Sequence, residues 1–201
     1  MAHKIKLPTR RKKRKALEKD LKAYNMSTRQ AVRKCVRCLN LAIRMAEKGK
    51  ARINNVYSEP RNTWVACWNN DPMLTKWFGD VNRKSHVKNV HSRMLSVTNR
   101  LSKGITIRLR PSAECSSTNA QNGGWFMEPK TFKVFSRLLG KNDEYVASVF
   151  VHELIHLWFT DQKLNGQKVY GKALAMALAD DNPRKARRSA ENYESFVDDL
   201  W

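Results

Sequence analysis

The sequence predicts an α+β fold, mostly helical with a small sheet, from two patterns of apolar spacing. Val32, Val36, Leu39, Ile43 and Ala46, and then Val87, Val90, Met94, Val97 and Leu101, recur as one face of an α-helix does. Ile105, Ile107 and Leu109 instead alternate with Thr106, Arg108 and Arg110, the period of a half-buried strand, and a second strand-like run lies over 132–139.

Taken in order, residues 1–12 read as a disordered basic arm and 13–24 as a helix-prone stretch too polar to pack tightly. Ser27 and Gln30 have the spacing of a capping box, so the first firm helix starts there and runs to Gly49 with a basic outer face. The Asn-, Pro- and Trp-rich stretch 54–70 reads as loop or broken helix. Trp77-Phe78-Gly79 then leads to the second helix, closed by Gly104. Pro111 stops the first strand, residues 112–124 are rich in Ser, Asn and Gly and read as a loop, and 140–143 is a turn. A long apolar helix starts near Glu144, residues 172–179 are helical, and Pro183 opens a last helix to Leu200.

A chain of 201 residues buries one sizeable core rather than two. Residues 1–64 form the basic arm and helical segment, and 65–201 the main domain. Of the formal charge of +21, +14 falls in the first fifty residues, where 17 Lys/Arg meet 3 Asp/Glu. That excess draws the protein toward anionic surfaces such as nucleic acid, membrane or envelope polymer. No secretory leader and no apolar run of about 18 to 20 residues is seen, so a soluble protein without an ordinary signal peptide is expected, exported if at all by a dedicated secretion system. Cys35 and Cys38 form a Cys-x-x-Cys within a helical pattern. Without a second pair at finger or ribbon spacing they read as reduced core thiols or as partners of Cys67 or Cys115.

The chemistry lies in His152-Glu153-Leu154-Ile155-His156. Histidines four apart on a helix point to one side and can share one Zn2+, while the Glu beside the first is placed to take a proton from the attacking water. The pattern arises by chance in about half a percent of chains of this length, so it is specific. Val146, Val149, Phe150, Leu154 and Leu157 give the motif an apolar helix body, as expected of a site helix that runs through the core. Two satisfied core histidines beside a buried Glu are the structural alternative, disfavoured because an unpaired buried carboxylate is costly.

Four features in chain order resemble the aspzincin metallopeptidases, which include deuterolysins and peptidyl-Lys metalloendopeptidases. They are Trp77-Phe78-Gly79 with the following helix that bears His91, the motif at 152–156, Tyr170-Gly171, and the segment Ser189-Ala190-Glu191-Asn192-Tyr193-Glu194-Ser195-Phe196. The resemblance covers 65–201 and implies a zincin-like catalytic domain in which His152 and His156 are zinc ligands and Glu153 is the general base. It also implies that the Tyr170 hydroxyl stabilises the oxyanion. The family's third ligand, an Asp three residues before the Tyr, is here Gln167, a poor ligand. Asp161 is the best substitute, and Glu191 takes the role if the third ligand comes from a later helix. Glu191, Glu194 and Asp198 share one face of the last helix. They are either a solvated acidic stripe or, as the resemblance implies for Glu191 and Glu194, a pocket for a substrate Lys that directs cleavage to its N-terminal side.

The sequence thus points to a zinc endopeptidase acting on protein or peptide, and a bacterial effector or toxin with a cognate inhibitor or immunity protein would suit its compact catalytic domain, basic leader and lack of an ordinary signal peptide. A zinc amidase acting on peptidoglycan peptides, docked on an anionic wall, and a basic nucleic-acid-binding module are the other readings. An exposed edge of the sheet is expected to bind extended substrate.

Overall fold

The computed structural model describes residues 3–114, 120–122 and 131–201. Helix α2, Thr28–Tyr57, is the longest described helix and packs one face on the core while its basic face stays exposed. Ser27 starts it with both halves of a capping box: its hydroxyl accepts from Gln30 N, and the Gln30 side chain accepts from Ser27 N. The expected stop at Gly49 does not occur. Gly49 lies inside the helix, and a Cβ there would stand 2.6 Å from Met94 and 3.2 Å from Phe196. The glycine is there to let two other helices approach, not to end this one.

Around α2 pack α5 (Lys84–Ser102), α6 (Asp143–Ile155) and α9 (Ala190–Asp199). The stretch 54–70, read as loop or broken helix, holds the end of α2 and a short helix α3 (Trp64–Asn69), and a second short helix, α4 (Pro72–Phe78), capped by Asp71, follows it. Their rings explain why: Trp68, Trp77 and Phe78 are completely buried, and that burial fixes backbone which local propensity leaves open. Buried side chains from Leu17 to Val197 form one continuous core, so the first 64 residues and the remainder share it.

The sheet has the order β1-β2-β4-β3, built from Lys4–Lys6, Thr106–Arg110, Thr131–Phe135 and Ala120–Asn122. The arm expected to be disordered thus supplies β1, parallel to β2, with Ile5 opposite Ile107. The following helix α1, Arg11–Ala23, is not too polar to pack: Leu17 and Leu21, one turn apart, are fully buried. Strand β3 falls in a stretch read as loop, and β4 ends at Phe135, where Ser136–Gly140 turns into a short 3-10 helix instead of continuing to 139. The last helix is two: α8 (Pro183–Ala186) and α9, restarted by the Ser189 cap on Asn192 N. Among the described residues no helix is long and apolar enough to cross a membrane.

Cys35 and Cys38 are free and buried, and Cys67 is free and half-buried; Cys115 lies outside the described residues. Desolvation lifts both buried thiols to about 12, so they are core side chains rather than thiolates ready to bind metal.

Candidate active site

Helix α6 is the one helix around α2 with little amphipathic character, and it is buried on all sides from Val146 to Ile155. It begins well: Asn142 caps Tyr145 N at 2.8 Å, and Asp143 and Glu144 lie in the first turn, where negative charge suits the helix dipole. Sheet and helix meet at Phe132 and Phe150, whose rings stack 5.8 Å apart. Strand β3, one edge of the sheet, also packs on α6. His152 and Glu153 lie in the last turn, each 8% exposed, and His156 is the C-cap residue. A buried imidazole and carboxylate in such a helix are costly unless every polar atom has a use.

Most of those uses are visible. His156 Nδ1 is 3.0 Å from the Phe159 carbonyl, which can only accept, so Nδ1 carries the proton and Nε2 a lone pair. His152 Nδ1 is 2.8 Å from Glu194 Oε2, a short ion-pair contact that is not collinear with the ring N–H, and Ser148 Oγ donates to Glu194 Oε1 at 3.0 Å. Both rings thus turn Nδ1 outward and leave Nε2 facing Nε2 at 2.9 Å. At that distance one Nε2 must carry a proton and donate to the other, and a cation bound by both nitrogens takes the place of that proton. Asp161 Oδ1 stands 3.3 Å from His156 Nε2. With Zn–N and Zn–O bonds of about 2.0 to 2.2 Å and tetrahedral angles, donors sharing one zinc stand about 3.3 Å apart. The His156–Asp161 spacing matches this and the Nε2 pair is a few tenths of an ångström closer, so the donor set fits zinc in kind and needs only a small parting of the two rings.

The surrounding charges favour a cation as well. Burial alone pushes the His152 pKa down, but the Glu194 contact and the charges of Glu194, Glu153 and Glu191 outweigh it and raise it to about 9. Partial burial pushes Asp161 up, yet bonds from Lys168 and Tyr170 and the charge of His156 hold it below the ordinary carboxylate value.

A two-stranded hairpin, β5 (Lys163–Leu164) and β6 (Gln167–Lys168), brings Asp161 to the histidines. Its turn places Asn165 and Gly166 at φ 49° and 82°, a left-handed pair suited to tight hairpins. The hairpin folds Tyr170 back so that its hydroxyl donates to Asp161 Oδ2 at 2.9 Å, beside Lys168 Nζ at 2.8 Å. Gln167 is exposed on β6 and outside the cluster; of the three candidates for third ligand, Asp161 faces the Nε2 pair. Glu191 meets the other side of His152: its Oε2 is 3.7 Å from Nδ1, and its Oε1 accepts from Gly171 N at 2.8 Å.

Glu191 and Glu194 are therefore tucked against His152 and do not form a solvated stripe, while Asp198 pairs with Lys172 at 2.7 Å. What fixes α9 here is Asn192, whose buried side-chain amide donates to Trp77 O and Ala175 O, both at 2.7 Å. Gly79 keeps the approach open: its φ is +64°, and a Cβ would stand 2.4 Å from the Ala179 carbonyl. His91 lies outside the site, bonded to Asn54 Oδ1 at 2.7 Å and stacked 4.0 Å from Tyr57. Sequence reasoning missed the roles of Ser148, Asn192 and the Phe159 carbonyl. The spacing of Ser148 four residues before His152 was the one signal present for any of them.

Residues 66–198 match the Aspzincin_M35 family model, described as lysine-specific metallo-endopeptidase. The structure is similar to that of a zinc peptidase from Grifola frondosa, with a TM-score of 0.63 and 19% identity over 81% of this chain and 91% of that one; at this identity the likeness is one of fold. No curated protein matches the chain.

Proposed function

The chain belongs to the aspzincin family of zinc metallo-endopeptidases, and from that premise we propose that it hydrolyses peptide bonds with zinc held by His152, His156 and Asp161. The observation that carries this is the pair of Nε2 atoms facing each other at 2.9 Å beside the Asp161 carboxylate. When bound, zinc supplies a Lewis acid that polarises a carbonyl and makes water acidic enough to lose its proton near neutral pH. Glu153 takes that proton and later delivers it to the leaving amine. Tyr170, half-exposed at the rim with its hydroxyl on Asp161, steadies the developing oxyanion. The outer edge of β3, against α6, pairs with the extended substrate backbone.

In this proposal cleavage falls on the N-terminal side of Lys, with Glu191 and Glu194 supplying negative charge for the ammonium. Glu194 is held closely through both oxygens, by Ser148 and His152, whereas Glu191 is hydrogen-bonded through Oε1 and its Oε2 stands 3.7 Å from His152, so Glu191 carries more of the recognition. The biological setting, an effector or toxin held in check by a cognate inhibitor and drawn to anionic polymers, rests on the net charge of +21. Digestion of a denatured protein by wild type and by Glu153→Ala, with the new N-termini sequenced, tests the reading. Products beginning with Lys, made by wild type alone, support both parts. Cuts at other residues remove the Lys pocket, and equal activity in the variant removes the role of Glu153.

A further inference from the structure

The segment after α6 carries a second arrangement, built of arginine and aromatic rings. Arg100 lies 5.4 Å from the Trp158 ring centre, Arg93 5.2 Å from Trp158 and 5.4 Å from Phe159, and Arg188 5.5 Å from Phe159. The order Arg100, Trp158, Arg93, Phe159, Arg188 makes a ladder from α5 to the turn before α9. It is joined to the metal centre, because the Phe159 carbonyl holds His156.

Guanidinium charges gathered this closely oppose one another. Several basic side chains elsewhere are compensated, Arg52 by Asp71, Arg37 by Asp143, and Lys76 and Lys172 by Asp199. Among the described residues no carboxylate pairs with Arg93, Arg100 or Arg188. The rings hold the guanidiniums by their faces, which limits side-chain freedom and leaves the N–H edges for an anion.

We propose that this ladder is an exosite that binds the carboxylates of an acidic segment in a polypeptide substrate, beside the bond to be cut. The proposal rests on the peptidase reading. Two points favour carboxylates over nucleic acid. Each ring already carries two guanidiniums, so a base stacks on it only by displacing one. The neighbouring site, moreover, acts on polypeptide.

The test uses two fluorogenic peptides, identical around the cleaved bond, one flanked by three Glu and the other by three Gln. For wild type at low salt the Glu peptide is expected to have a KM lower by about fivefold at equal kcat, an advantage lost on adding salt. Arg188→Gln and Arg100→Gln should remove that advantage, while Arg188→Lys keeps part of it. Equal KM values for the two peptides in wild type, or variants that weaken both equally, overturn the proposal. Binding of each labelled peptide to Glu153→Ala, read by fluorescence anisotropy, separates it from the reading beneath it. If neither peptide is cleaved but the Glu peptide binds preferentially through these arginines, the peptidase reading fails and the exosite stands. A single-stranded oligonucleotide of equal charge that binds the same arginines more tightly overturns the carboxylate assignment.

Discussion

His152 and His156 face each other through Nε2 at 2.9 Å, while the Nδ1 of each is turned away onto an oxygen, of Glu194 and of the Phe159 carbonyl. The rings are thus oriented by protein groups on their outer sides. Removing an orienting group should cost metal affinity more than fold.

Glu194→Gln keeps the volume and the Ser148 contact but removes the charge beside His152. Loss of such an outer partner is expected to weaken zinc binding by about 10- to 100-fold. The dissociation constant, measured by competition with a chromogenic chelator, checks this. Unchanged affinity would show that Glu194 serves substrate alone.

Asn192→Ala leaves the carbonyls of Trp77 and Ala175 without their shared donor in a fully buried place. Stability is expected to fall by about 2 to 4 kcal/mol, and the urea midpoint reports it. Because Asn192 also seats α9, activity per folded molecule should fall too.

Gly79→Ala meets two obstacles at once, the left-handed backbone and the Ala179 carbonyl 2.4 Å from the new Cβ. A loss of more than about 2 kcal/mol is expected, again from urea unfolding. Retained stability would mean that α4 and the helix Lys172–Asp181 (α7) move apart readily.

Asp143 ties α6 to α2 through Arg37 and Lys34. The Arg37 hydrogen bond, with both positive charges, holds its carboxyl below the ordinary value despite some desolvation. Its folded pKa is depressed, so its contribution is present above the unfolded value, about 3.9, and is lost as pH falls through the folded one. Wild type should therefore be more stable than Asp143→Asn at pH 7, with the gap closing below pH 4. Thermal melts of the two proteins across that range give the comparison, and a gap independent of pH would contradict it.

Long periodic helices were legible in the sequence because burial of one face imposes the spacing, and the face that begins at Val87 lies in the core as read. On α2 the face was set off to one side: Leu39 and Ala46 are buried, but Val32, Val36 and Ile43 are half-buried, and the core side runs through Ala31, Cys35, Cys38, Ala42 and Met45, small or soft residues that the apolar spacing passed over. Strand β1 was not legible, since three residues with two lysines carry no pattern and the strand exists only through pairing with β2, a hundred residues away. Gly49 was misread for a related reason. A helix-ending glycine and one that admits a neighbouring helix look alike until the neighbours, Met94 and Phe196, are known. At the site, the histidine spacing could be read from local chemistry, and Asp161 as the substitute for the third ligand that the family resemblance implies. The grip of Glu194 on His152 could not, because it depends on how α9 packs on α6.

The central claim is that zinc lies between the Nε2 atoms and Asp161, not on the other side of His152, where Glu191 and Glu194 offer a second set of donors. The most direct measurement is zinc content per chain after dialysis for wild type, Asp161→Ala and Glu191→Ala. The account predicts about one zinc in wild type and in Glu191→Ala, and little in Asp161→Ala. Metal retained by Asp161→Ala but lost from Glu191→Ala would contradict it and move the ion to the acidic side of His152.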